Sequence, residues 1–495
     1  MKTVCGIDLG TQSCKVLIYD YEKKSVLARA QAPVDMIAEN DGTREQAAAW
    51  YPAALKACFS AIEKSNPGLN ARIMAIGVSG HQHSFVPLDE EGKPLYRVKL
   101  WCDTATAAEC GELTAQAGGE GALIAETGLP MRPGYTAPKV QWLKNHKPDL
   151  FARLRHILLP HDYINFLLTG AYTAEYGDAS GTALFNVRTR KWSSRVCDLI
   201  DPAVLNCLPR LLEPGEPAGT VSAAAAKTFG IPEGAIVAAG GGDNMMGAVG
   251  TGAVKDGFLT MSLGTSGTLF GFSHVPVIDP TGNLAAFCSS TGGWLPLLCT
   301  MNCTVASEEF RSLFGVDVKG FDAQAAKAPI GAEGLVVLPF FNGERTPNLP
   351  NGRASLNGIT AANFNRENIA RASLESAIFG MRIGMEGFSR LGFKAKEIRL
   401  IGGGAKSPLW QSIAAQVMNL PVRVPAGDEA AAIGGAIQAL WTWKKAERSI
   451  ESLVEEHVIL EGGVRVDPDA ASVTAYNQAY EVYSRYLGAL SPLYI

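Results

Sequence analysis

The stretch "CGIDLGTQSCK" (Cys5–Lys15) sets an acid, a glycine and hydroxyl side chains at the end of an apolar run. These are the ingredients of a phosphate site, without the G-x-x-x-x-G-K-[ST] pattern of a Walker loop. About 250 residues later "SLGTSG" (Ser262–Gly267) echoes it with serine in place of Asp8, and a repeated strand-turn-strand unit points to duplicated domains. Around the first copy, "TVCGIDLG" (3–10), "CKVLIYD" (14–20) and "SVLARAQAP" (25–33) predict an antiparallel meander joined by short polar turns. A helix is expected from about Arg44 to Lys64, capped by Asp41 or Thr43, followed by the apolar strand "IMAIGVSG" (73–80).

Around the second copy, "GFLTMSLGTSGTLFGFS" (257–273) reads as strand, turn and strand. "LVVLPFF" (335–341), a long helix from about Arg366 to Leu391, "EIRLIGGGAKS" (397–407), a helix to about Met418 and "PVRVPAGDEAAAIGGAIQAL" (421–440) follow. Strands alternating with helices predict an α/β fold. The Pro/Gly-rich run "EPGEPAGT" (213–220) suggests a nearby domain junction. The chain is divided into domains 1–246 and 247–495, with a C-terminal helix (about 472–488) that is free in this reading to pack back on the first domain.

The chain has 495 residues and a net charge of −4 from 44 basic and 48 acidic side chains, with no Lys/Arg-rich block, so neither nucleic acid nor a membrane surface is an expected partner. Small molecules are. Its ten cysteines include no C-x-x-C pair, which disfavours a zinc ribbon or disulfide framework. No signal peptide and no apolar run near the roughly 20 residues of a membrane span is found. A cytoplasmic protein is expected, with homodimerisation left open.

If the two turns face each other across a cleft, Gly10, Thr11 and Gln12 of one and Gly264, Thr265 and Ser266 of the other present N–H groups and hydroxyls to phosphate oxygens; singly, each is an ordinary hairpin. Asp8, present in the first copy only, is placed to hold a divalent cation through water. Asp243, after the three glycines of "AAGGGDNMMGAVG" (238–250), is either a helix N-cap or a carboxylate that accepts a hydroxyl proton during attack on phosphorus. Gly403, Gly404 and Lys406 of "GGGAKS" (402–407) form either a bare backbone surface for adenine or a crowded strand-to-helix turn. In "SGHQHS" (79–84), His81 and His83 find no further ligands for structural zinc, and a loop histidine here binds a polar substrate or packs in the structure. "LWCD" (100–103) offers Trp101 as an apolar wall, or core, and Asp103 as a hydroxyl acceptor; "NGERTP" (342–347) adds Glu344 and Arg345.

Taken together these residues resemble the FGGY family of carbohydrate kinases, and within it the xylulokinases, over nearly the whole chain. The family signatures are matched in "GYTAPKVQWLKNH" (Gly134–His146) and "ASLNGITAANFNRENIARASLE" (Ala354–Glu375), with "LLPHDYINFLLTG" (158–170), "GGGDN", "MSLGTSG" and "GERTP" in support. The resemblance implies two ribonuclease H-like domains of the actin and hexokinase type with a central cleft, ATP and Mg²⁺ as cosubstrate and cofactor, and D-xylulose as acceptor, another ketose or polyol (ribulose, gluconate, a sugar alcohol) being the alternative. It implies that Asp243 is the catalytic base, that Asp8 is associated with the metal, and that Gln82 and His83 stand where the family has a substrate-contacting Met-His pair. Two departures are visible: "GHQHS" for "GQMHG", and "WCDTA" for "WND-x-R". From a different class, an actin-like ATPase or a nucleotide-free sugar-binding protein fits the same fold.

Overall fold

The computed structural model describes residues 2–494, the side chains of 461–463 aside. Two compact units are present. The first takes the chain up to Lys255 together with Phe272–Leu295 and Glu429–Val458; the second takes Asp256–Gly271, Pro296–Asp428 and the chain from Ile459 onward. The units are therefore woven from non-contiguous segments, whereas the sequence suggested one cut at 246/247.

In the first unit the strands are β1 (Thr3–Leu9), β2 (Ser13–Asp20), β3 (Ser25–Pro33), β4 (Ile73–Gly80), β5 (Pro217–Thr220) and β6 (Ile236–Ala238). Their order across the sheet is β5-β6-β4-β1-β2-β3. The β1-β2-β3 meander is antiparallel, β4 runs parallel to β1, and β6 parallel to β4. The run "EPGEPAGT" is not a linker, because Pro217–Thr220 pairs antiparallel with β6 and forms the sheet's edge.

The first helix, α1 (Trp50–Ser65), starts six residues later than Arg44 and has no side-chain cap. Arg44–Gln46 instead forms a short strand in which Glu45 pairs with Lys99 and Gln46 with Val98. Asp41 accepts from the N–H of Thr43 in a local turn at 2.9 Å. Helical periodicity lost at this point to the ion pair between Glu45 and Lys99, 3.0 Å apart and buried.

The second unit repeats the plan. Its strands β7 (Phe258–Leu263), β8 (Gly267–Gly271), β9 (Trp294–Thr300, its second-unit part from Pro296), β10 (Glu397–Ile401), β11 (Val422–Pro425) and β12 (Leu460–Val466) lie in the order β9-β8-β7-β10-β11-β12. Again the first three strands are antiparallel, the next two run parallel to their neighbours, and the sixth is an antiparallel edge. The low-fidelity echo in sequence is an echo in topology with one difference: the antiparallel edge strand precedes the last parallel strand along the chain in the first unit (β5 before β6) and follows it in the second (β12 after β11). The C-terminal helix Ala470–Leu490 belongs to the second unit, where buried Tyr476, Tyr480 and Tyr483 pack around Phe379 of the long helix Arg366–Arg390.

Alternation along β1 divides its side chains between two faces. Cys5, Ile7 and Leu9 join the core with Leu55, Cys58 and Phe59 of α1. Gly6, with Asp8 on the same face by period two, turns toward a helix from late in the chain, Ala430–Lys444. A Cβ on Gly6 would run into the carbonyl of Ala432, and one on Gly77 of β4 into the carbonyl of Gly435. The same helix closes on Asp243–Thr251 reciprocally: a Cβ on Gly250 would strike the Ala430 carbonyl, and one on Gly434 the Met246 carbonyl. Glycine is required here because backbone meets backbone.

Gly77→Ala is expected to destabilise the protein by about 1–3 kcal/mol through overpacking. Gly111→Ala, in the helix Ala107–Ala117 where an added methyl meets nothing, is expected to be neutral or stabilising. Urea melts of the two variants provide the comparison.

Candidate active site

Asp8 lies near the end of β1, opposite Lys15 of β2 and level with Ser79 of β4, whose hydroxyl donates to Asp8 Oδ1 at 2.9 Å. Burial raises the Asp8 pKa, with the Ser79 hydrogen bond and the Lys15 charge working against it. Lys15, on the same face as its cross-strand partner, thus acquires a role as the cation beside Asp8. The turn that follows is closed by the Gly10 N–H donating to Ser13 O at 2.9 Å. Its hydroxyl and carbonyl are held from outside: Trp101 Nε1 donates to Thr11 Oγ1 at 3.0 Å, and Gln46 Nε2 to Thr11 O at 2.7 Å. Gln12 is exposed.

Gly241 and Gly242 pair with Ser79 and Gly80 of β4, which brings Asp243 to the same end of the sheet as Asp8. Gly242 occupies the N-cap position and Asp243 the first helical residue, so its carboxylate is not the cap. Asp243 Oδ1 accepts from the Asn244 N–H at 2.7 Å and from Asn244 Nδ2 at 3.0 Å. Burial, then the charges of Asp8 and Asp178, push the Asp243 carboxyl up to about 7, against the Asn244 N–H. Behind it, Gln438 of the helix Ala430–Lys444 grips Gly240 at both backbone groups, each at 2.8 Å, where the chain adopts φ +77°.

Gln82 bridges toward this carboxylate. Its Oε1 accepts from Asn244 Nδ2 at 2.5 Å and its Nε2 donates to Met245 Sδ at 3.0 Å. His83, at φ +58°, is held by several groups: Thr136 Oγ1 and Lys139 Nζ both donate to its carbonyl at 2.9 Å, and its ring lies 5.4 Å from Tyr135 and 5.2 Å from Phe287. The first signature stretch therefore serves to fix His83. Burial pushes the Lys139 amine down to about 7. His81 has separate partners, with Nδ1 2.8 Å from Ser84 Oγ and Nε2 3.3 Å from Tyr51 OH, and burial pushes it down to about 3. Among the described residues no cluster of three or more His, Cys, Asp and Glu side chains that could hold a metal ion is present.

Asp103, expected to accept a sugar hydroxyl, is fully buried and its oxygens are engaged. Oδ2 accepts from the Arg44 N–H at 2.9 Å and meets Lys99 Nζ at 3.0 Å; Oδ1 accepts from the Ala105 N–H at 3.1 Å. Its place in this structure is to hold the base of the loop that carries Trp101.

In the second unit, Gly264 and Thr265 accept through their carbonyls from the N–H groups of Thr304 and Cys303 at 3.0 and 2.9 Å. Ser266 completes that turn before β8. Gly403–Lys406 is a short 3₁₀ turn pressed on β7: a Cβ at Gly402, φ +88°, would lie 2.6 Å from Leu263 O. Gly264–Ser266 and Gly403–Gly404 are thereby neighbours around Leu263. Lys406 is exposed and pairs with Asp428 at 2.8 Å. Glu344 is buried, accepting from the Met301 N–H at 2.6 Å and from Asn302 Nδ2 at 3.1 Å, which orders the "GERTP" loop.

The family models for the N-terminal and C-terminal domains of the FGGY family of carbohydrate kinases match residues 3–250 and 259–443. The chain belongs to this family. It is an ATP-dependent carbohydrate kinase. It is 43% identical to a xylulose kinase of Haemophilus influenzae over 99% of both chains. Among solved structures it is similar to that of a "xyloylose kinase" from Brucella ovis, with a TM-score of 0.92 at 30% identity over 99% of this chain and 100% of that one. A gluconate kinase from Lactobacillus acidophilus has a TM-score of 0.92 at 22% identity, covering 100% of this chain and 99% of that one. The fold is thus shared by kinases named for different sugars, and side chains must make the choice.

Sequence reading passed over Asn244, Gln438, Lys139 and Asp178. Gln438 had a signal, a lone amide amid the small apolar residues of its helix, and Lys139 lay within a quoted signature. Asp178, in "EYGDASG", had none.

The raised Asp243 pKa predicts a stability effect with a definite sign. The folded protein holds this proton above the pH at which an unfolded carboxyl releases it, so the site's cost grows from about pH 4 to about pH 7 and is constant above. Asp243→Asn should raise the thermal midpoint, with a gain that grows over that window in a calorimetric pH series; a gain that shrinks with rising pH would contradict the assignment.

Proposed function

We propose that the chain transfers the γ-phosphoryl group of ATP to the terminal primary hydroxyl of D-xylulose, giving D-xylulose 5-phosphate. The observation that carries this reading is Asp243, a carboxylate with its pKa raised to about 7, linked through Asn244 and Gln82 to the loop that bears His83. A base poised near the working pH suits proton removal from a hydroxyl. The name of the 43%-identical relative supports xylulose as acceptor.

In-line phosphoryl transfer leaves little covalent work to the protein, so positioning and charge stabilisation carry the catalysis. As the sugar oxygen bonds to phosphorus and the bond to the ADP oxygen breaks, the hydroxyl proton passes to Asp243. His83 holds a sugar hydroxyl and Trp101 covers an apolar edge. Gly10–Gln12, Gly264–Ser266, Gly403, Gly404 and Lys406 are proposed to hold the nucleotide, the turns through backbone N–H groups other than that of Gly10, which Ser13 O engages. Asp8, a carboxylate already braced by Ser79, would hold Mg²⁺ through water, since this ion gives up its hydration reluctantly. Bound there, Mg²⁺ supplies neutralisation of phosphate charge.

Asp243→Ala is expected to lower kcat by 10²-fold or more while ATP affinity by calorimetry stays near that of the wild type. Wild-type turnover would remove Asp243 from the mechanism. A coupled ADP-release assay across xylulose, ribulose, gluconate and sugar alcohols is expected to give the highest kcat/KM for D-xylulose; a higher value for another sugar would replace the acceptor while leaving the reaction class intact.

A further inference from the structure

Behind His83 lie three buried groups that the reaction scheme does not use, Asp162, His161 and Asp178, and they form an array that ends on His83. His161 Nε2 is 2.9 Å from Asp162 Oδ1 and its Nδ1 3.2 Å from Asp178 Oδ2; the other oxygen of Asp178 is 3.2 Å from His83 Nδ1. That same oxygen accepts from the His83 backbone N–H at 3.2 Å. Asp162, His161 and Asp178 have no more than 1% of their surface open, whereas His83 keeps 8% of its own.

Burial would raise the Asp178 pKa, yet His161 and His83 hold it down at about 2; burial opposes charge on His161, and Asp162 and Asp178 override that. An anionic Asp178 flanked by two imidazoles is therefore the stable arrangement, and its charge is felt at Asp243. Strain is stored at the same place, since His83 adopts φ +58°, an uncommon conformation for a residue other than glycine. Its ring is seated on Gly181, where a Cβ would collide with Cε1 and Nδ1. Such over-determination is more than a packed histidine needs.

We propose that Asp178 is a positioning residue for the sugar site: by engaging Nδ1 and the backbone of His83 with one oxygen, it fixes the imidazole so that Nε2 is the acceptor presented to a sugar hydroxyl, with His161 clamping Asp178 from behind. The proposal rests on the reading of His83 as a sugar-binding residue. A histidine donating from one ring nitrogen to a carboxylate is set in orientation and tautomer at the other.

Nitrogen-15 NMR of the histidine-labelled full-length protein tests the geometry directly, with the His83 resonances assigned by their loss in His83→Gln. His83 Nδ1 should be protonated and Nε2 of imine type before xylulose is added; an imine-type Nδ1 overturns the proposal without touching the assigned reaction. Kinetics test the consequence. Asp178→Asn should raise KM for D-xylulose about 10-fold or more and leave KM for ATP within about twofold. Added to His83→Gln it should cost little further, because the two act through one contact. Full additivity, or an equal rise in KM for ATP, overturns the proposal. If Asp178→Asn does not fold, His161→Gln takes its place in the cycle with the same expected non-additivity, and the wild-type NMR result stands by itself. If His83→Gln alone leaves KM for xylulose unchanged while His83 Nδ1 is protonated, the sugar-binding reading fails and the positioning role fails with it.

Discussion

The constraint on which the first unit depends is the contact of bare backbone between a helix and the elements beneath it. Ala430–Lys444 meets β1 at Gly6, β4 at Gly77 and the helix Asp243–Thr251 at Gly250, and at each point a Cβ would occupy the place of a carbonyl. This helix follows the β10 and β11 strands of the second unit in sequence yet packs within the first. Close approach has two chemical results. Gln438 comes within reach of Gly240, which fixes the turn before Asp243, and Glu429 comes near enough to Asp8 for its charge to be felt there.

That seam also explains why carboxylates gather at one end of the first sheet. Period two puts Asp8 on the face of Gly6, and the pairing of Gly241–Gly242 with Ser79–Gly80 delivers Asp243 to the same level. Asp178, in the first unit with them, adds a third negative charge. Like charges brought together under burial raise one another's pKa. The site answers unevenly, with Asp178 kept ionised by its two histidines and Asp243 left as the group that takes up a proton. Divided roles for neighbouring carboxylates follow from their different hydrogen-bond partners.

Much of the fold was legible because it is local or repeated. Alternating apolar runs marked the strands of both copies, and the resemblance between "DLGTQS" and "SLGTSG" suggested duplicated domains. The errors fall where distant partners intervene. Arg44–Gln46 looked helical until Lys99 offered Glu45 an ion pair, and "EPGEPAGT" looked like a linker until β6 gave it an edge to pair with. Asp103 looked like a ligand group because nothing in "LWCD" reveals that Arg44, Lys99 and Ala105 engage its oxygens.

By itself, the sequence determined the class of chemistry: a duplicated α/β frame with Gly-Thr turns, one acid in the first copy, another after three glycines, and family signatures that need no coordinates to be recognised. Only the tertiary structure decided which polar side chains serve the site and which serve the scaffold. His81 and His83 are two residues apart, yet one is a neutral buried prop and the other is strained against Asp178, 95 residues along the chain. Such distinctions depend on desolvation and on partners distant in sequence, and both are properties of the packed chain, absent from any window of its residues.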